Sequence, residues 1–295
     1  MAAKSAETFH LSKSFGSVFA LRDLNLFVKQ GEVLGLLGRN GAGKSVTLRI
    51  LAGLAFQSGG EFALFGHTNP YADPAIRQRV AFLSQTLDFP PSMSASDVLS
   101  FNAAIYPLWD SQFAESLARR LEIPLDRHTP DLSLGMKLRL AIICAVSARA
   151  ELILLDEPAG NLDPLARAEF LSILAEILDR DGPSVIFATH IVSDLERVAD
   201  RTAFIADGSL LLDIRSEELG SRYRRVQVVF ESVVPDSFSL SGAMTPTARG
   251  RVYECILPRY SAEAVSRECP GASVEAFPVS LEQVFVACAG QGGAR

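Results

Sequence analysis

Between residues 38 and 45 the chain reads Gly38-Arg39-Asn40-Gly41-Ala42-Gly43-Lys44-Ser45. The run fits G-x-x-x-x-G-K-[ST], the P-loop pattern. Its glycines let the backbone curl so that successive N–H groups point inward, a concave surface that suits phosphate oxygens. Arg39, Asn40, Ala42 and Val46 contribute peptide groups to that surface, and Arg39 keeps an N–H where a proline would remove it. Lys44 supplies a point charge for the β- and γ-phosphates, and Ser45 a hydroxyl for Mg²⁺.

Such a loop works only between a strand and a helix N-terminus. The preceding Val33-Leu34-Gly35-Leu36-Leu37 is a short apolar run of the kind that forms a buried parallel strand. The following Val46-Thr47-Leu48-Arg49-Ile50-Leu51-Ala52 has apolar residues at helical spacing. The start of that helix adds unpaired N–H groups and the positive end of its dipole.

A phosphate-bound Mg²⁺ also needs a carboxylate. Leu152-Ile153-Leu154-Leu155 runs straight into Asp156-Glu157. If that strand lies beside the P-loop strand, Asp156 reaches the metal. Glu157, one residue on, reaches the attacking water as general base or orienting group. Two surface carboxylates after a strand are the plainer alternative, and the uninterrupted apolar lead-in argues against it. Two further strands end in polar groups. Val80 to Ser84 ends in Gln85, an ordinary loop residue unless its strand neighbours the P-loop strand. Ser184 to Ala188 ends in Thr189-His190. His10, His67 and His128 have no partners that suggest a ligand set.

Composition narrows the function. A net charge of −6 offers no basic stripe for nucleic acid. The cysteines (Cys144, Cys255, Cys269, Cys288) form no C-x-x-C pair, which fits buried thiols in a reducing cytoplasm. MAAKSAETFH has no apolar core of a signal peptide. The most apolar window, Leu138 to Leu155, is broken by Arg139, Arg149 and Glu151, so no span is expected. The expectation is a soluble protein able to sit on a membrane protein.

Along the chain, residues 7–30 read as two alternating strands around a turn at Lys13 to Ser17. Phe15 at that turn is by itself best read as core. A turn and strand follow at 59–66. Residues 86–150 form a helical insert: Ser94 to Ile105, capped by Ser94 or Ser96, then Asp110 to Leu121, then a helix opening near Ser133. Tyr106 and Trp109 fit its core, or a groove for a partner helix. Strand and helix then alternate, through a helix from Pro164 to Leu178 and one from Val192 to Ala199. A hairpin turns at Asp207-Gly208. From about Ser221 a separate small α+β module is expected, joined through Glu217 to Arg222, with Val233 to Gly250 as loop.

The order of these motifs resembles the ATP-binding subunit of an ABC transporter, over residues 7–215. The resemblance implies a role for each matching position. Phe15 is similar to the aromatic that stacks on adenine. Gln85 falls at the Q-loop, which contacts Mg²⁺ and senses the permease. Leu132-Ser133-Leu134-Gly135-Met136 takes the place of the LSGGQ signature, with Ser133 and Gly135 kept as γ-phosphate contacts and Leu134 and Met136 replacing Gly and Gln. Asp156 and Glu157 match Walker B and the catalytic glutamate, Asn161-Leu162-Asp163 the D-loop, and His190 the switch histidine. The Leu-Ser-x-Gly-Met-Lys form, Tyr106-Pro107-Leu108-Trp109-Asp110 and Ser280-Leu281-Glu282-Gln283-Val284-Phe285 resemble the subgroup that pairs with a separately encoded, exporter-type permease.

The fold implied is α/β: a P-loop NTPase core with an antiparallel N-terminal sheet, an inserted helical subdomain at about 86–150 and a C-terminal α+β module at 221–295. The function implied is an ATPase with ATP and Mg²⁺ as cofactors. It would close on a second ATPase subunit and drive an integral membrane permease from the cytoplasmic face. A soluble ABC ATPase of DNA repair or translation is the rival. Such proteins carry a long coiled-coil insert or tandem ATPase halves, and this chain has neither. A regulatory subunit without turnover would not need both Glu157 and His190.

Overall fold

A computed structural model describes residues 3–68, 70–160 and 162–292. The chain divides into two compact units, Met1–Leu210 and Leu211–Arg295. The elements of the first are β1 (Lys4–Phe15), β2 (Val18–Lys29), β3 (Val33–Leu37), α1 (Lys44–Leu51), β4 (Gly59–Leu64), α2 (Pro74–Arg77), β5 (Val80–Leu83), α3 (Ala95–Ile105), α4 (Ser111–Arg120), α5 (Leu134–Ser147), β6 (Leu152–Asp156), α6 (Pro164–Asp181), β7 (Ser184–Thr189), α7 (Val192–Val198) and β8 (Arg201–Ala206). The division falls inside β9 (Ser209–Arg215), the strand that follows β8 through the hairpin.

Two sheets build the first unit. One is antiparallel, in the order β2-β1-β4. The other has parallel strands in the order β5-β6-β7-β3-β8. Every residue of β3, β6 and β7 is buried, which is why these strands read as continuous apolar runs rather than alternating ones. A common core joins the two sheets around α1, with Leu24, Leu34, Leu48, Phe62, Leu154 and Ile186 among its members.

The strand order corrects one expectation. The strand carrying Asp156 does not lie beside the P-loop strand, because β7 pairs with both β3 and β6. Nor does β5, which pairs with β6 and is a further place removed. The intervening β7 is the strand that ends at Thr189-His190. Hydrophobic periodicity reports how a strand is buried and carries no record of which strand lies next to it.

The helical insert forms as expected. Ser94 caps α3 in a capping box with Asp97, Asp110 caps α4 through Phe113 N–H, and Ser133 caps α5 through Met136 N–H. The hairpin turn has Asp207 at φ 49° and Gly208 at φ 77°, left-handed values at both central positions.

The second unit holds α8 (Ser216–Arg222), β10 (Tyr223–Val229), β11 (Met244–Arg249), β12 (Val252–Pro258), α9 (Ala262–Glu268), β13 (Ser273–Phe277) and α10 (Leu281–Gly292). Its antiparallel sheet has the order β11-β12-β10-β13 over a core that includes Val226, Val228, Tyr253, Leu257 and Val265. The joining residues 217–222 lie in helix α8. Two expectations need correcting here. The stretch expected to be loop contains β11, and β13 was not anticipated. Both are edge strands with mostly exposed or half-exposed residues, so neither alternates, and β11 carries Pro246 and a register shift. Among the described residues no helix is long and apolar enough to cross a membrane.

Candidate nucleotide site

The loop after β3 has the shape the glycines permit. Gly41 and Gly43 lie at φ 82° and 107°, where a side chain would be strained. At Gly43 a Cβ would also come within 2.6 Å of the Leu21 side chain and 2.7 Å of Ala20 O. Gly38 is equally constrained, since a Cβ there would meet Ile205 O at 2.4 Å. The hairpin turn closes the rear of the loop, with Gly208 N–H donating to Ala42 O at 3.1 Å. Glycine is thus needed for packing as well as for curvature.

Lys44 and Ser45 begin α1. Lys44 Nζ donates to Gly38 O at 2.7 Å and Arg39 O at 3.3 Å, and lies 3.1 Å from Glu157 Oε1. The two side chains are only 5% and 6% exposed. Ser45 Oγ donates to Asp156 Oδ1 at 2.7 Å. His190 Nδ1 is 2.8 Å from Glu157 Oε2, and the His190 N–H donates to the same oxygen at 3.3 Å. Three strand ends therefore converge: β3 leads to Lys44 and Ser45, β6 to Asp156 and Glu157, and β7 to His190. Glu157 sits at φ 48°, a left-handed value that is uncommon for a residue with a side chain.

The electrostatics favour a bound cation. Asp156 is fully buried, and its Oδ2 has no hydrogen-bond partner. Burial raises its carboxyl above the usual carboxylate range. The Ser45 hydrogen bond and Arg49 oppose this, Glu157 adds to it, and Lys44 opposes it. Glu157 Oε1, although at ion-pair distance from Lys44, also lacks a hydrogen bond of good geometry. An orphaned carboxylate oxygen beside a serine hydroxyl is a donor set that suits Mg²⁺, which takes hard oxygen ligands. Asp156 and Ser45 would hold it.

The remaining candidates stand apart from this cluster. Gln85 is exposed and lines a small cavity with Leu134, Leu138 and Glu157, so it faces the site across that cavity. Ser133 is exposed at the start of α5, and Gly135 has open space where its Cβ would be. Asp163 caps α6, accepting from Leu165 and Ala166 N–H at 3.0 Å each. Asn161 lies outside the described residues. Phe15 is 58% exposed, with the Lys13 ammonium 4.9 Å from its ring centre, so it is not a core residue. Exposure suits a stacking platform. Burial pushes the Cys144 thiol up to about 12, consistent with an inert core position.

The comparisons with known proteins agree with this geometry. Residues 21–160 match the family described as ABC transporter. The chain is 31% identical over 284 residues to the ABC transporter ATP-binding protein YtrB of Bacillus subtilis (strain 168), covering 95% of this chain and 97% of that one. The chain belongs to the ABC transporter ATP-binding proteins. It is also 33% identical over 224 residues to the bacitracin transport ATP-binding protein BcrA of Bacillus licheniformis, covering 74% of this chain and 72% of that one. A solved structure described as an ATP-binding subunit of an ABC transporter superposes with a TM-score of 0.66 at 28% identity, over 72% of this chain and 91% of that one. The α/β ABC cassette fold, with its antiparallel sheet and helical insert, is thereby established for this ABC ATPase.

Sequence reasoning did not find Arg167 and Asp194. They pair at 2.6 Å behind His190, and both look like surface helix residues when read one at a time. The loop packing generates a prediction. Gly43→Ala adds a methyl group where φ and space both forbid it, so the variant should lose ATP affinity by at least about tenfold, as about 1.4 kcal/mol of distortion would cause. Calorimetric titration with ATP checks it; unchanged affinity would show that the loop conformation is not needed for binding.

Proposed function

We propose that this protein is the ATP-hydrolysing subunit of an exporter-type ABC transporter, working as one of two ATPase subunits on an integral membrane permease. The convergence of Lys44, Ser45, Asp156, Glu157 and His190 from three adjacent strand ends carries the proposal. Lys44 lies against Glu157. A γ-phosphate would compete for the ammonium and leave Glu157 free to act on water, with His190 beside it. Mg²⁺ bound by Ser45 and Asp156 would neutralise charge on the phosphate oxygens. Phe15 would stack on adenine, and the peptide groups from Gly38 to Val46 would cradle the phosphates.

The exporter assignment is supported by the chain-length similarity to YtrB and by BcrA, whose name gives bacitracin as its transported compound. Ser133 and Gly135 support the reading that a second subunit takes part. Ser133 is exposed and Gly135 half-buried at the start of α5, away from the Lys44 cluster, and they would face a phosphate bound by another copy or a homologous chain. Asp163 would line the same contact. The permease would dock at the groove of the helical insert lined by Thr86, Asp88, Phe89, Asn102 and Tyr106, with Gln85 linking it to the site. Phe89, Tyr106 and Trp109 are each half-buried, and the Tyr106 O–H reaches Val80 O at 3.3 Å, so these aromatics are partly core and partly groove. On this reading the protein works at the cytoplasmic face of a membrane.

Glu157→Gln should hydrolyse ATP at least about a hundredfold more slowly than the natural protein, since removing a general base costs about that much. That variant should sediment as a dimer with Mg²⁺-ATP and as a monomer with ADP, and adding Ser133→Arg should abolish the dimer. Near-natural turnover in Glu157→Gln, or equal sedimentation in both nucleotides, would refute the roles assigned. Expressed with the permease that it serves, the protein should co-purify with an integral membrane protein. Thr86→Glu in the groove should break that complex while ATP binding persists; a complex indifferent to the substitution would move the docking site elsewhere.

A further inference from the structure

His190 is not held by its own burial, since its side chain is 44% exposed. Its position against Glu157 depends on the short helix that follows. α7 has seven residues, and Ile191 at its N-cap makes no side-chain cap. A helix of that length has no stability of its own and takes its position from tertiary contacts.

Two contacts clamp it. Toward the sheet, fully buried Leu195 packs on Gly35 of β3, so closely that a Cβ on Gly35 would lie 2.8 Å from Leu195 Cδ1. Toward α6, Asp194 is 2% exposed and accepts from Arg167 Nε at 2.6 Å. Arg167 Nη2 donates to Ser193 Oγ at 3.2 Å, so one guanidinium grips two consecutive residues of α7. A carboxylate so nearly excluded from water needs such a partner. Asp194 Oδ2 has no hydrogen-bond partner, so Arg167 is the charged group that holds it here. Burial raises the Asp194 carboxyl; the hydrogen bond and charge of Arg167 oppose this, as does Arg197, while the charge of Glu157 adds to it. Asp194 is thus electrically within reach of the catalytic carboxylate.

The other end of the link also leads to the site. Asp163 caps α6, and Arg167 N–H donates to Asp163 O at 3.0 Å, one turn in. Further along, α6 is tied to the helical insert by Arg139–Glu169 at 2.9 Å and Arg120–Glu176 at 2.8 Å. One helix therefore touches the Asp163 turn, the insert and, through Arg167, the helix that carries on from His190.

We infer that Arg167 and Asp194 are positioning residues for His190: their ion pair fixes α7 on α6 and so sets the imidazole against Glu157, making its placement depend on the Asp163 turn. The effect on turnover rests on the proposed role of His190 at the γ-phosphate; the effect on the imidazole does not.

The test uses the full chain with ¹⁵N-labelled histidine, and the variants Asp194→Asn and Arg167→Lys. The His190 signals are identified by their loss in His190→Asn. In nucleotide-free protein, Asp194→Asn should shift the His190 Nδ1 resonance while those of His10, His67 and His128 stay in place. ATP turnover should fall about tenfold in kcat with KM within about twofold, because positioning is lost while binding groups remain. Arg167→Lys keeps the charge but not the two-residue grip, and should give a smaller change in both readouts. It also serves if Asp194→Asn does not fold. A folded variant with an unmoved His190 signal would overturn the inference, even if its melting temperature fell, because that is the mark of a purely structural pair. A natural protein with no ATP turnover would instead defeat the proposed function and leave the imidazole measurement to decide this one.

Discussion

Lys44 and Glu157 meet at 3.1 Å with almost no exposure, beside a fully buried Asp156. One ammonium faces two carboxylates in a setting that water barely reaches. Coulomb attraction and desolvation nearly cancel in such clusters, but removing one partner leaves an uncompensated charge and costs about 3–5 kcal/mol. The arrangement persists because the surrounding sheet forces it. β3, β6 and β7 are pinned by parallel hydrogen bonding and complete burial, and their C-terminal ends have nowhere else to deliver these side chains. The orphaned Asp156 Oδ2 remains as a feature that a cation would satisfy.

The placement of β7 gives this cluster its logic. If β6 paired directly with β3, no strand would end between the loop and the carboxylates. With β7 inserted, His190 reaches Glu157 from the strand end between them. Lys44 and Ser45 come from the start of α1, Asp156 and Glu157 from the end of β6 and the residue after it, and His190 from the residue after β7.

Much of the site was legible because buried parallel strands announce themselves. The runs at 33–37, 152–155 and 185–188 have no polar side chain; the first leads into the glycine loop, and the other two stop at Asp156-Glu157 and Thr189-His190. The glycines of the loop were legible for the same local reason, since they satisfy φ and close packing at fixed offsets. What could not be read was tertiary. Nothing in the spacing places β7 between β3 and β6. Nothing links Arg167 to Asp194, which are far apart in the chain and each common on helix surfaces. Edge strands β11 and β13 lack a buried face, so they carry no alternation to detect. Phe15 looked like core by residue type, yet its turn leaves it mostly exposed, a choice made by the strand register rather than by the residue.

The central claim is that Glu157, 3.1 Å from Lys44, competes with the terminal phosphate for the ammonium. Calorimetric titration of Mg²⁺-ATP into the natural protein and into Glu157→Gln tests this most directly. Removing the carboxylate charge frees the ammonium and lifts repulsion of the phosphates, so the account predicts that Glu157→Gln binds Mg²⁺-ATP at least as tightly as the natural protein. A loss of affinity of about tenfold or more, equivalent to about 1.4 kcal/mol, would contradict it, because Glu157 would then be a binding group and not a competitor for Lys44.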